Sequence, residues 1–337
     1  MKSRLAINGL GRIGRSVLRA YFERSDLAEL ELVALNELAD IQTLAHLTRY
    51  DSTHGKFPGS VSVDANTLLV NNRALTVSHI RELHELPWRE HGIDLVLECT
   101  GAFSDRKRAQ LHLERGARRV LFSQPAAADV DATVVFGVNH SRLKREHTIA
   151  SAASCTTNCI TPVIKVLHEH FGVESGVITT IHSAMNDQPV LDAYHHTDLR
   201  KTRSAMTSII PVETGLARGI DRILPELTGR FEAQAMRVPT VNVSAIDLSV
   251  IVGKSASKQA INAAIRAAAD AAWSNVMGYT DEPLASCDFN HDPRSAIVDL
   301  EQTRVSGGTL VKVLVWFDNE WGYANRMLDV AKYWASL

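Results

Sequence analysis

Long apolar runs are missing from this sequence. No stretch approaches the roughly 20 residues that a membrane-spanning helix needs. The first residues run straight into a strand-like pattern, without the roughly 7–15-residue apolar core of a secretory signal. Cysteine is scarce as well. Cys99, Cys155, Cys159 and Cys287 are too few and too scattered for a disulfide framework. A reducing, cytoplasmic location is the expectation. Charge of one sign is also lacking: the formal net charge is −2, so no overall field draws the chain to nucleic acid or an anionic membrane. Any attraction for a phosphorylated ligand must be local.

What is present is an ordinary globular balance, 45% hydrophobic and 22% charged. Its 337 residues suit two cores better than one. Strand patterns fall at 4–8, 32–36, 95–99, 120–123 and 133–138. Between the first two, Ile13, Val17, Leu18 and Phe22 recur at helical spacing over 12–24. Strand, helix, strand in series predicts a doubly wound parallel sheet of the Rossmann type with right-handed crossovers. Residues 61–77 read instead as one inserted hairpin turning at Asn71-Asn72. After Cys155 a long helix is expected, then strands near 177–181, 233–237, 243–252, 295–299 and 310–316. Few helices separate the later strands, which predicts an α+β domain with a mostly antiparallel sheet. Helical patterns cover 257–275 and 319–337. The expected division is a dinucleotide-binding domain of 1–154 completed by helix 319–337, and a catalytic domain of 155–318.

Gly9-Leu10-Gly11-Arg12-Ile13-Gly14 follows the first strand and opens the first helix. Glycine there permits a tight turn and lets the backbone approach a pyrophosphate, which the helix N-terminus attracts. Glu37, at the end of the second strand, supplies the acidic group that favours the ribose hydroxyls of NAD over a 2′-phosphate. Glycine turns also arise for packing alone; the strand, helix and acidic residue together make the cofactor reading the stronger one.

The second centre is Ser151-Ala152-Ala153-Ser154-Cys155-Thr156-Thr157-Asn158-Cys159. These small and hydroxylated residues precede a helix that would stop at Gly172, with Pro162 as a point of bending. A cysteine at a helix N-terminus is expected to have its pKa lowered by the dipole. Buried structural cysteines are the competing reading, and it suits Cys159. The C-x₃-C spacing without a second Cys or His cluster argues against zinc, so no metal is expected. A thiol nucleophile needs a base, and His182 ends the β-branched run Val177-Ile178-Thr179-Thr180-Ile181, which would hold it rigidly. His168, His170, His195 and His196 read as solvated or loop residues.

At this point the sequence resembles the glyceraldehyde-3-phosphate dehydrogenase family over essentially its whole length. The resemblance rests on Ile7-Asn8-Gly9-Leu10-Gly11-Arg12-Ile13-Gly14, Ser154 to Cys159, Arg237-Val238-Pro239-Thr240, and Trp316 to Tyr323. It implies Cys155 as nucleophile and His182 as its activating base. It places NAD on Gly9, Gly11, Arg12, Ile13, Gly14, Glu37, Arg81, Ser123 and Asn319. Substrate and phosphate contacts would fall on Ser154, Thr156, Lys201, Thr214, Gly215 and Arg237. It also implies a homotetramer, in which the stretch after His182 reaches a neighbour's cofactor site.

Two departures bear on the substrate. Three residues after His182 the family's glyceraldehyde-3-phosphate enzymes carry a phosphate-binding threonine; here Met185 stands in that place. Losing a charge-assisted hydrogen bond costs roughly 1.5–3 kcal/mol, which penalises a short phospho-aldehyde. His182-Ser183-Ala184-Met185 resembles the erythrose-4-phosphate branch, implying release of 4-phosphoerythronate by hydrolysis, toward pyridoxal phosphate. A phosphorylating glyceraldehyde-3-phosphate enzyme is the alternative. Lys201 stands where arginine is expected and loses the bidentate fork. Arg200-Lys201-Thr202-Arg203 reads as a solvated or substrate-facing loop rather than a nucleic-acid site. The intact Cys155–His182 pair weighs against a non-catalytic binding protein.

Overall fold

The computed structural model describes residues 2–195, 198–271 and 273–337. His196, one of the histidines read as solvated, lies outside the described residues. The chain forms two compact units, residues 1–154 with 323–337, and residues 155–322.

In the first unit β1 (Ser3–Asn8), α1 (Arg12–Glu23) and β2 (Leu30–Asn36) follow one another, and α2 (Ile41–Arg49) is capped by the Asp40 carboxylate. A small ladder of β3 (Tyr50–Asp51) and β4 (Gly55–Lys56) comes next. Residues read as one hairpin form two: β5 (Val61–Asp64), β6 (Thr67–Val70) and β7 (Arg73–Ser78). The second turn uses Asn71 and Asn72, both with positive φ, as hairpins of matching twist require. The first turns at Ala65, whose φ is +50°; alanine gives no signal of that conformation. Then come β8 (Leu95–Glu98), α3 (Arg106–Glu114), β9 (Arg119–Phe122), β10 (Ala132–Thr133) and β11 (Ile149–Ser151).

These strands form a nine-stranded sheet in the order β10-β11-β9-β8-β1-β2-β7-β6-β5, parallel except for the β5–β6–β7 meander. The strand expected over 133–138 is cut short after Thr133. Asn139 takes over its backbone groups, accepting from the Val135 N–H at 2.7 Å and donating to Thr133 O at 3.1 Å, around Gly137 at φ +87°. Trp88, Ile93, Val96 and Ala6 pack in one apolar cluster of this unit. On α1 the buried face is Val17, Leu18, Ala20 and Tyr21 with Arg19, while Ile13 and Phe22 stay half-buried. Buried Arg19 donates to Gly55 O and His54 O, tying α1 to the β3–β4 ladder.

The second unit opens with α4 (Cys155–Phe171), which runs through Pro162 and stops at Gly172, φ +70°. β12 (Val173–Ser183), β13 (Ile210–Val212), α5 (Leu216–Ile223), β14 (Phe231–Val238) and β15 (Ser244–Val252) follow. α6 (Lys258–Ala269) is shorter than the 257–275 pattern. β16 (Met277–Thr280), β17 (Ala296–Ser306) and β18 (Leu310–Phe317) complete the sheet, ordered β13-β14-β12-β15-β18-β17-β16. That sheet is mixed: β12–β14 and β16–β17 are parallel, the other pairings antiparallel. α7 (Trp321–Ala335) starts where the Asp318 carboxylate accepts the Trp321 N–H at 2.7 Å, and its residues from Tyr323 onward belong to the first unit. Among the described residues no helix is long and apolar enough to cross a membrane.

Candidate active site

In the first unit the glycine turn joins β1 to α1 at the carboxyl end of the parallel strands, where open α/β sheets bind ligands. Its glycines have different jobs. Gly9 is left-handed, φ +86°, and a Cβ there would lie 2.7 Å from Thr100 Cα. A Cβ on Gly14 would lie 2.0 Å from Gly9 O. Gly11 is the N-cap of α1, has no side-chain cap, and a Cβ there would meet nothing within 4 Å. Gly9 and Gly14 therefore build the turn, while Gly11 and the first-turn N–H groups present an open, donor-rich end that suits an anion.

Glu37 sits just after β2, and its carboxylate is held by the Leu10 and Leu38 N–H groups, each at 2.7 Å. A carboxylate has about four acceptor positions, so capacity remains for a ribose hydroxyl, while a 2′-phosphate would meet like charge. Arg12 is anchored by a two-pronged ion pair with Asp51, whose carboxyl Arg12 and two backbone N–H groups hold well below the usual range despite burial. Ser123 follows β9, its N–H donating to Glu98 O at 3.0 Å. Arg81 lies exposed beyond β7, the neighbour of β2. Beneath these residues runs a buried polar chain. Asn8 Nδ2 donates to Glu98 Oε2 at 2.6 Å, Asn36 Nδ2 to Asn8 Oδ1 at 2.8 Å, and Ser78 Oγ to Asn36 Oδ1 at 2.9 Å. This chain locks the ends of β1, β2, β7 and β8 together.

In the second unit Cys155 is the first residue of α4, and its Sγ lies 3.8 Å from His182 Nε2. β12 and β14 are parallel neighbours in a register that sets His182 opposite Arg237. His182 Nδ1 is 2.8 Å from Ser183 O and 2.9 Å from Arg237 Nη1. A guanidinium only donates and a carbonyl only accepts, so Nδ1 cannot satisfy both: it either donates to Ser183 O or accepts from Arg237. We assign Nδ1–H to the Ser183 carbonyl, because Arg237 Nη1 has that same oxygen as its acceptor at 3.3 Å. Nε2 then carries the lone pair, turned to the thiol.

The electrostatics reverse one expectation. Cys155 keeps partial exposure, yet loss of solvation pushes its thiol up to about 11, outweighing Arg237 and the backbone N–H groups of Thr156 and Cys155, which pull it down. Burial, then the charge of Arg237, lowers His182 to about 4. At neutral pH the pair is therefore thiol and neutral imidazole, not thiolate and imidazolium. A proton leaving Sγ would have the Nε2 lone pair within reach, the arrangement that general-base catalysis uses. Cys159, fully buried one turn along, is pushed well above its ordinary value. All four cysteines are free thiols.

Thr214 and Gly215 precede α5, and Gly219 on that helix lets it approach α4 closely, a Cβ there falling 2.8 Å from Thr157 Oγ1. Thr156 lies beside Cys155, half-buried in the first turn of α4, and Ser154 is the last residue before it. Lys201 is paired with Asp187 at 2.9 Å. Met185 is 45% exposed. Asn319, expected on the cofactor, belongs to the second unit, where its Oδ1 accepts from Ser183 Oγ at 3.0 Å and Ser244 Oγ at 2.8 Å. Both serine bonds fix the amide with its N–H₂ end turned to the other side. His168, on α4, and His195, in the loop after β12, are half-buried and accept backbone N–H groups; His170 is exposed.

Asp51, Asp187 and Ser244 escape the sequence reading. Asp187, five residues past His182, carries only its charge as a signal. Among the described residues no group of acidic, cysteine and histidine side chains has metal-holding geometry.

Residues 3–106 match the family model described as glyceraldehyde 3-phosphate dehydrogenase, NAD binding domain. Residues 154–319 match the one described as glyceraldehyde 3-phosphate dehydrogenase, C-terminal domain. The cofactor is NAD. With a dinucleotide cradle in one unit and a base-paired thiol in the other, this chain is an NAD-dependent oxidoreductase belonging to the glyceraldehyde-3-phosphate dehydrogenase family.

Proposed function

We propose that the protein oxidises D-erythrose 4-phosphate to 4-phosphoerythronate with NAD, through a thioester on Cys155 that water resolves. The carrying observation is the Cys155 Sγ to His182 Nε2 approach of 3.8 Å at the start of α4. Sγ bonds to the aldehyde carbon while the thiol proton passes to Nε2 and the C=O π pair moves onto oxygen, giving a hemithioacetal alkoxide. Bound NAD would supply the hydride acceptor for that carbon, and the alkoxide then closes to the C=O of an acyl thioester. His182 gives up the thiol's proton to solvent; water then adds to the acyl carbon as one of its protons passes to Nε2, and the C–S bond breaks as His182 hands that proton to sulfur, leaving the carboxylic acid and the free thiol. Arg237, Thr156, Thr214, Gly215, Ser154 and Lys201 are the proposed substrate contacts.

Met185 in place of a hydroxyl donor supports the four-carbon sugar. The family models' own description keeps a phosphorylating glyceraldehyde-3-phosphate enzyme as the second reading. On the first reading the product enters the route to pyridoxal phosphate, in the cytoplasm. A homotetramer is part of the same proposal. Leu191, Tyr194, Leu199 and Ile209, in and around the loop after His182, are each at least 70% exposed, more apolar surface than an isolated loop sustains.

Acid quenching during turnover, followed by peptide mass spectrometry, tests the chemistry. A phosphoerythronyl adduct on the Cys155 peptide is expected; an adduct-free Cys155 under steady turnover contradicts the thioester.

A further inference from the structure

Asp187 lies on the segment leaving β12, and its Oδ2 accepts a hydrogen bond from Lys201 Nζ at 2.9 Å. The same carboxylate bears electrostatically on Arg237, the guanidinium that stands 2.9 Å from the His182 ring. One carboxylate thus pairs with Lys201 and acts through space on Arg237, the two cations that the family resemblance places among the substrate and phosphate contacts. Two cations would match a phosphate dianion, whereas with Asp187 the cluster keeps a single net positive charge.

We propose that Asp187 selects the acyl acceptor, by occupying the Lys201 and Arg237 charges that free inorganic phosphate needs and so leaving the thioester to water. A substrate's own phosphate is affected less. Once the aldehyde carbon is bonded to Cys155, that phosphate is tethered and holds a high effective concentration. Free phosphate has no tether and must bind by charge alone. This inference rests on the hydrolytic reading above.

Calorimetric titration of the NAD-loaded protein with inorganic phosphate tests it without any aldehyde, so an error in the sugar assignment leaves the result untouched. Removing one like charge at a few ångströms strengthens dianion binding several-fold or more. Asp187→Asn is expected to bind phosphate about tenfold more tightly than wild type, with Asp187→Ser behaving alike should Asn perturb folding. Asp187→Glu, which keeps the charge, stays at the wild-type affinity. Asp187→Asn combined with Lys201→Gln loses the gain, which locates the anion at this cluster. Equal affinities in wild type and both neutral variants overturn the proposal, as does a gain that survives in the double variant.

Discussion

Cys155 and His182 show how one residue's chemistry depends on what surrounds it. The start of a helix favours a thiolate, but here desolvation wins and the free thiol is pushed up to about 11. Alkylation of Cys155 in the NAD-free protein is therefore expected to accelerate about tenfold per pH unit from neutrality toward pH 11, tracking the thiolate. A plateau reached near pH 6 contradicts this. His182→Asn, which removes the proton acceptor, is expected to slow turnover by roughly 10²–10⁴-fold while NAD binding is kept; steady-state kinetics beside a fluorescence titration of NAD checks both. The sign of the linked stability follows from the same burial. His182 has a folded-state pKa near 4, below its ordinary 6.5, so between those values the unfolded chain binds a proton that the folded chain does not. Stability from this group is full above pH 6.5 and is lost as pH falls through 4, by up to about 3 kcal/mol. Urea titrations from pH 7 to 4 check the slope, which His182→Gln flattens. At this scale the sequence points to Cys155 and His182, which the fold sets 3.8 Å apart, because motif and strand end are local. It hides the neutral state of the pair, which burial sets, and the Asp187–Lys201 ion pair, which only the tertiary fold brings together.

Among elements, the β1–turn–α1 unit separates folding from binding. Gly14→Ala places a Cβ 2.0 Å from Gly9 O, and is expected to destabilise the protein by about 3 kcal/mol and to abolish NAD binding. Gly11→Ala meets nothing within 4 Å in the protein, so its melting temperature should match wild type while NAD affinity falls at least tenfold. Thermal melts with and without NAD distinguish the two; equal effects on stability contradict the division of labour among the glycines. Sequence periodicity locates β1, α1, β2, β8 and β9 well because each repeats a pattern within itself. It merges β5, β6 and β7 into one hairpin, since the left-handed Ala65 carries no turn signature. It extends β10 through Val138 because the Asn139 side chain, which ends that strand, is not an apolar signal.

Across the whole molecule, the chain returns at its end to the unit with which it began. Trp334 is fully buried there, donates from Nε1 to Lys144 O at 3.2 Å, and lies under the Arg119 guanidinium at 5.2 Å from its ring centroid. Trp334→Ala is expected to cost about 3–5 kcal/mol and to weaken NAD binding while the second unit's own packing is untouched, as chemical denaturation followed by probes in each unit would report. The strand–helix alternation of the sequence changes after Cys155, and the structure's second unit runs from Cys155 to Gly322. The mixed character of the second sheet is not, since β12–β14 and β16–β17 pair in parallel through connections whose lengths say nothing of direction.

Substrate and acyl acceptor together define what the molecule does, and one experiment reads both. Initial NADH formation is measured with erythrose 4-phosphate and with glyceraldehyde 3-phosphate, each with and without inorganic phosphate. The four-carbon sugar is expected to be preferred, at a rate independent of phosphate. Preference for the three-carbon sugar with strict dependence on phosphate would contradict both the weight placed on Met185 and the hydrolytic fate of the Cys155 thioester.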